Sequence, residues 1–245
     1  MRRREALALL GAATPAWADA PALRFAIGQT WGPPFVTEGA DGRLRGLLID
    51  LVEAIAREAG RPAELHSLPA LRVAQALESG AVDLQCPMNP AWWGQPVPDL
   101  RRWSAPLLTM RDVLVAAPGT SLDWPGFLRA RRLVVGTVHG YLYPPLQADF
   151  DAGRLRRDDA PNQAAQLRKL ERGRSPVAVV NELVLRAHNR ALPAAQRLRV
   201  VAVIDEVKTY CLLAPNPRGG IEALRAAIRR ATQADRLAPL IGAEP

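Results

Sequence analysis

The chain has 245 residues, enough for one large or two medium domains with cores of their own. Hydrophobic residues make up 49% and charged residues 23%, the balance of a globular protein, which sets aside disordered and low-complexity classes. The formal charge is +8, but setting aside Arg2, Arg3, Arg4 and Glu5 leaves 29 basic against 23 acidic residues, and the arginines form no stripe interleaved with aromatics, so no nucleic-acid partner is expected.

Residues 1–18 read as a signal peptide. MRRRE is a positive n-region, Ala6 to Ala13 a short apolar stretch, and Ala16-Trp17-Ala18 a small-x-small cleavage pattern before Asp19, which predicts export to the periplasm. The paired arginines leave general secretory (Sec) and twin-arginine (Tat) export both open. Eight or so apolar residues fall short of the roughly twenty that cross a hydrocarbon core, and no later stretch reaches that length.

Leu23, Phe25 and Ile27 alternate as a short strand that breaks at Gly28. In the following WGPPF loop, Pro33 and Pro34 stiffen the support that displays Trp31 and Phe35 where a strand ends, the usual place for a ligand contact in an open α/β sheet. Leu47, Leu48, Leu51, Val52, Ile55 and Ala59 then recur at helical spacing, stopped by Gly60 and Pro62. Ala63 to Leu68 reads as a second strand, Leu71 to Leu77 as a helix, and Val82 to Cys86 as a buried third strand. This βαβαβ order predicts a mostly parallel sheet with helices on its faces. The Pro-rich segment PMNPAWWGQPVPDL reads as a second strand-end loop, with no element interior, and offers Met88, Asn89, Trp92, Trp93 and Gln95 as ligand contacts.

Asp112 to Ala117 reads as extended chain leaving the first sheet. A new βαβ unit starts near Arg132, where LVVGTVHGYLYPP is a strand broken by Gly136 and Gly140, followed by Tyr141, Tyr143 and paired prolines in an echo of the opening loop. Ala164 to Leu170 is a predicted helix, Val177 to Val180 a buried strand, Glu182 to His188 a helix, and Leu198 to Ile204 a strand. Thr209 to Ala214 is the returning chain, and Ile221 to Ile241 is amphipathic, with Ile221, Leu224, Ala227, Ile228 and Ala231 on one face suited to packing back on the first domain.

No G-x-S-x-G elbow, phosphate loop, G-x-G-x-x-G or H-E-x-x-H motif occurs, so neither an enzyme nor a cofactor is expected. His66, His139 and His188 fall on different predicted elements, which argues against a metal site. Cys86 and Cys211 permit one disulfide in an exported chain, and two buried free thiols fit equally well.

Six segments in order carry a resemblance: the WGPPF loop, GLLIDLVEAIAREAG, LPALRVAQALESGAVDL, WSAPLLT, LVVGTVHGY and LRKLERGRSPVAVVNE. Together they resemble family 3 extracellular solute-binding proteins, the substrate-binding components of polar amino-acid ABC transporters. That resemblance implies a type II periplasmic binding protein fold, an α/β architecture of two mixed lobes joined by two hinge segments near Leu108 to Arg111 and Ile204 to Lys208. Residues 19–108 and 207–245 would form lobe 1, and residues 109–206 the inserted lobe 2. It implies a monomer that closes on a small molecule and hands it to a membrane permease. It also implies neighbouring positions for Cys86 and Cys211, because the returning strand lies beside the third strand of lobe 1.

Where amino-acid-binding relatives carry an arginine, an acidic residue and a threonine, ungapped counting finds Gln95, Asn181 and Tyr141. Arg72 stands where many relatives have arginine, and Arg101 or Arg102 are substitutes to weigh for the missing one. Amides replace charge-assisted contacts poorly, so a standard α-amino acid is not the expected ligand. Trp31, Trp92, Trp93, Tyr141 and Tyr143 suit a flat, apolar or cationic body, cyclic or carrying one charge, with neutral hydrogen bonds from Asn181 and Gln95. Two alternatives use the same scaffold: a periplasmic enzyme resembling cyclohexadienyl dehydratases with Glu182 as its acid, and a stand-alone ligand sensor.

Overall fold

The structure, a computed structural model, describes residues 20–93 and 96–233. The signal-peptide reading of residues 1–18, Gln95, and the end of the amphipathic stretch beyond Gln233 lie outside the described residues.

Alternation places Leu23 and Phe25 fully inside β1 (Leu23–Gly28), and two parallel neighbours flank it. A two-residue hairpin, β2 (Thr37–Glu38) with β3 (Leu44–Arg45), interrupts the loop to α1 (Leu47–Glu58), whose Leu48, Leu51, Val52 and Ile55 are buried. Gly46 is required just before that helix, because at φ 118° a Cβ would lie 2.6 Å from the Pro34 carbonyl oxygen. After β4 (Ala63–Leu68) and α2 (Ala70–Glu78) comes β5 (Leu84–Met88). This strand starts two residues later than expected. Asp83 is buried and committed to a turn, its carboxylate accepting the Arg24 and Arg218 backbone N–H groups and the Arg24 guanidinium.

The loop expected over PMNPAWW holds one helical turn, α3 (Pro90–Trp93). Proline at a first helical position loses no intrahelical hydrogen bond, which is why its presence there did not exclude a helix. A 3₁₀ turn over Leu100–Arg102 follows, and the chain leaves the first sheet into β6 (Thr109–Ala116).

The second sheet begins with β6 and continues, after α4 (Trp124–Arg129), with β7 (Leu133–Val138), which passes through Gly136 where a break was expected. A Cβ at Gly136 would run into the Gln166 side chain, so this glycine marks close packing of a helix on the strand. Two elements carry no sequence expectation, α5 (Pro144–Asp151) and β8 (Leu155–Ala160). The helix buries only Leu146, and the strand is a polar sheet edge, so neither carries a clear apolar period. Then follow α6 (Gln163–Glu171), β9 (Val177–Asn181) and α7 (Glu182–Arg190). A 3₁₀ turn over Ala194–Gln196 leads into β10 (Arg199–Lys208). The chain returns as β11 (Tyr210–Leu213) and closes the described region with α8 (Ile221–Ala231).

Two main sheets result, ordered β11-β5-β1-β4 and β10-β6-β9-β7-β8. Their parallel pairs are β1 with β4 and β5, and β7 with β8 and β9, while β11 and β6 enter antiparallel. Among the described residues the chain crosses between the sheets twice, side by side: Thr209 donates to the Leu108 carbonyl at 2.8 Å, and Leu107 donates to the Thr209 carbonyl at 2.7 Å. Leu224, Ile228 and Ala231 of α8 join the same core as Leu48, Val52 and Ile55 of α1, so the last helix packs on the first sheet as its apolar face predicts. Cys86 and Cys211 form a disulfide between β5 and β11, with Cα atoms 4.3 Å apart, within bridging reach.

Candidate functional site

Between the carboxyl ends of β1 and β5 on one side and of β7 and β9 on the other lies a cavity of ≈ 320 Å³, walled at the crossing by β6. The first sheet contributes Thr30 and Trp31 from the loop after β1, the opening residues of α2 from Ala70, and Gln85, Pro87 and Met88 from β5. Trp92 and Trp93 on α3 complete that side. The second sheet contributes Gly140, Tyr141 and Leu142 after β7, Gln163 at the start of α6, and Asn181 at the end of β9. Met110 and Asp112 alternate inward from β6.

The two sides touch. The Tyr141 and Thr30 hydroxyl oxygens are 2.9 Å apart, a hydrogen bond joining loops from different sheets. Gly140 approaches Ala70 and Leu71 closely enough that a Cβ would sit 3.3 Å from the Leu71 side chain. Burial pushes the Tyr141 phenol up to about 12, with the Asp112 charge adding to the effect and the Thr30 and Gln163 hydrogen bonds opposing it. That hydroxyl therefore remains protonated at any physiological pH.

Six of the eleven residues expected to contact a ligand converge on this cavity: Trp31, Met88, Trp92, Trp93, Tyr141 and Asn181. Phe35 does not line it. It is 2% exposed and lies beneath Trp31, the ring centroids 4.6 Å apart. Tyr143 is likewise a core residue, its hydroxyl accepting the Val138 backbone N–H at 3.0 Å. Asn89 holds the wall without forming it. Its Oδ1 accepts the Ala91 N–H at 2.8 Å, starting α3, and its Nδ2 donates to the Lys208 carbonyl at 2.8 Å. Arg72 is exposed on α2 and outside the lining. Neither substitute arginine reaches the cavity: Arg101 chelates Asp99 at the surface, and the buried Arg102 donates to the Leu213 carbonyl and pairs with Glu78. Glu182 pairs with Arg186 and Arg111 and is also outside the lining.

Asn181 sits on the wall with its amide already committed. Its Oδ1 accepts the Leu183 N–H as the α7 cap and its Nδ2 donates to the Arg111 carbonyl, while its backbone N–H donates to Gln163 Oε1 at 2.7 Å. Two polar groups that were not among the expected contacts have the most to offer, Gln85 and Asp112. Gln85 lies in a buried strand, and its Oε1 is enclosed with no hydrogen-bond partner among the described residues. Asp112 opposes Asn181 across the β6–β9 ladder. Burial and the neighbouring Asp205 charge push its carboxyl up to about 6, against a hydrogen bond from Asn181 that lowers it. A carboxylate directly before the buried run over residues 113–116 was the available signal for Asp112; nothing in the sequence singled out Gln85.

No family model matches the chain, and no curated protein matches it by sequence. Solved structures do match in fold. An ancestral arginine-binding protein bound to arginine superposes with a TM-score of 0.73 at 19% identity, covering 90% of this chain and 96% of that one. An ancestral amino-acid-binding protein described as a precursor of cyclohexadienyl dehydratase gives 0.71 at 16% identity, covering 90% and 94%. The substrate-binding protein of an amino-acid ABC transporter gives 0.69 at 16% identity, covering 90% and 97%. The fold is that of the type II periplasmic binding proteins, and these neighbours are amino-acid-binding proteins.

Proposed function

We propose that the chain, with the fold of the type II periplasmic binding proteins, is an exported solute-binding protein of the family 3 kind that closes on a small organic solute and delivers it to the membrane permease of an ABC transporter. The observation that carries this reading is the cavity at the strand ends of both sheets, bridged by the Thr30–Tyr141 hydrogen bond. A ligand placed there touches both halves of the molecule, and among the described residues two crossings, at Leu108 to Thr109 and at Lys208 to Tyr210, connect those halves. Binding then stabilises the closed arrangement over an open one, the hinge logic of two-lobed receptors. Neighbours that bind amino acids support the binding role, while the chemistry of this lining points away from an α-amino acid. Among the described lining residues there is no arginine, lysine or histidine to receive a carboxylate.

A thermal-shift screen over amino acids, organic acids, amines and sugars tests the reading. One class should stabilise the protein, by about 2.7 kcal/mol at 100 times its dissociation constant. Silence across all four would overturn it.

One observation favours an enzyme instead. Asp112 has a carboxyl near neutrality inside the cleft, the range of a general acid, and one fold neighbour is a precursor of a dehydratase. Prephenate, however, brings two carboxylates to a lining without a cation. Incubation with prephenate or arogenate decides between the readings, and release of an aromatic product would establish the enzyme.

A further inference from the structure

We propose that the ligand of this cleft is a small organic cation, a protonated amine on a flat or cyclic body without a carboxylate of its own, seated among Trp31, Trp92, Trp93 and Tyr141 with Asp112 as its counter-ion. The inference rests on the solute-binding reading and names the chemical class that this site would take.

Three features converge on it. The first is charge. Asp112 is the one carboxylate among the described lining residues, and the nearest arginine in sequence, Arg111, is turned to the surface, where it donates to Glu206 at 2.6 Å. The second is hydrogen-bonding sense. Gln85 Oε1 is an enclosed acceptor with no partner, and a carboxylate accepts only, so the polar groups left unsatisfied ask for N–H donors. The third is the aromatic surface. Three indole side chains and a phenol line the cavity, and aromatic rings attract a partly desolvated ammonium that meets their faces. A zwitterion would gain the same contacts at one end and strand its carboxylate at the other.

The groups facing Asp112 define how binding responds to pH. On β10, Asp205 opposes it across the ladder, and its own carboxyl is raised by burial. On β9, Asn181 donates to it, and from the loop after β7 the phenols of Tyr141 and Tyr143 feel its charge, both held far above neutrality. With its carboxyl at about 6, Asp112 is ionised at pH 7.5 and mostly protonated at pH 5. Protonation removes the counter-ion, so the affinity for a permanently charged guest drops about tenfold between those values.

The test follows tryptophan fluorescence while the full chain is titrated with four probes of one shape: benzylamine, benzyl alcohol, benzoate and phenylalanine. Cyclohexylamine and benzyltrimethylammonium extend the cation arm, the latter without N–H donors. The proposal expects saturable binding of the amines, at least tenfold weaker binding of the alcohol, and none of benzoate. Asp112→Asn should weaken benzylamine at least tenfold at pH 7.5 and abolish the pH dependence, while Gln85→Met should weaken benzylamine more than benzyltrimethylammonium. Tighter binding of benzoate or phenylalanine than of benzylamine would overturn the cation proposal while leaving a solute-binding protein in place. Silence of every cation, or an Asp112→Asn protein that binds benzylamine as well as the parent does, would also overturn it. Turnover of prephenate would instead remove the binding-protein reading beneath it.

Discussion

Two loops face each other across the cleft, and they divide labour in the same way. Each leaves a parallel strand and carries two aromatic residues, with paired prolines inside the first loop and directly after the second, at the start of α5; in each, the first aromatic lines the cavity and the second is buried. Trp31 stands over Phe35 in one, and Tyr141 stands near Tyr143 in the other. Their anchoring differs. The first loop is pinned by backbone, with Leu47 and Leu48 of α1 donating to the carbonyls of Pro34 and Phe35 at 3.0 Å, over a glycine that lets the chains touch. The second is pinned by a side chain. Arg157 donates to the Tyr141 and Val138 carbonyls at 3.1 and 2.9 Å, pairs with Asp159, and lies over the Tyr143 ring at 5.3 Å. The floor of each loop fixes the fold, while its other ring lines the cavity, where a ligand can meet it.

The largest effect should separate floor from surface. Phe35→Ala and Tyr143→Ala each remove a fully packed ring and should cost about 3–5 kcal/mol of unfolding free energy. Trp31→Ala gives up its pairing with Phe35, about 0.5–1.5 kcal/mol, and the packing of a ring that is only half-buried, so it should cost less than Phe35→Ala yet abolish the response to ligand. Urea unfolding beside a binding titration reads both quantities. Equal destabilisation by Trp31→Ala and Phe35→Ala would erase the distinction.

The next effect concerns the carboxylate beneath the second loop. The Asp112 carboxyl titrates at about 6 when folded, against roughly 3.9 in an unfolded chain. Between those values the folded state holds the extra proton, so stability is highest at low pH and falls as pH rises through this window. Asp112→Asn escapes that loss. The variant should therefore be more stable than the parent by about 1–3 kcal/mol at pH 7.5 and about equal to it at pH 3.5, measured without ligand. A gain that persists at pH 3.5 would assign the effect to packing and not to charge.

Arg157→Ala should come third. It removes charge-assisted hydrogen bonds to two carbonyls, a loss of about 1–3 kcal/mol, and frees the second loop alone. Arg157→Lys should not restore it, because an ammonium cannot fork to two carbonyls while lying flat over Tyr143. Hydrogen exchange should rise at residues 139–143 and stay unchanged at residues 31–36. Equal loosening of both loops would mean that their anchoring is shared.

The sequence made the scaffold legible wherever period and punctuation agreed. Leu47 to Glu58 declares itself a helix by spacing and a glycine stop, and the amphipathic face from Ile221 finds its partner on α1. Elements with little apolar content were missed, above all α5, which buries a single residue, and the polar edge strand β8. At the site, Trp31, Trp92, Trp93 and Tyr141 were readable because large aromatics beside prolines at strand ends have few other uses. Which aromatic of each pair turns inward was not readable, since a loop without a period gives no face. Asp112 and Gln85 lie on strands, where residue order tells that a side chain alternates but not which lobe or cavity the alternation meets. Their importance comes from assembly of two sheets; Gln85 has no local signature, and Asp112 only that of a carboxylate at the head of an apolar run.

The smallest expected effect tests the contact that joins the two loops. Tyr141→Phe keeps the ring in the cavity wall and deletes only the hydroxyl bonded to Thr30. A net hydrogen bond is worth about 0.5–1.5 kcal/mol, and this one exists only while the two sides are together, so the loss falls on closure and not on either lobe. Ligand affinity should weaken by about two- to twelvefold, the same free energy expressed as a ratio, while the urea midpoint of the unliganded protein moves little. Thr30→Val should weaken binding equally, and the double variant should be no worse than either single one, because both remove one interaction. Additive losses from the two substitutions would show that each hydroxyl serves the ligand separately and that the observed bond is incidental to closing.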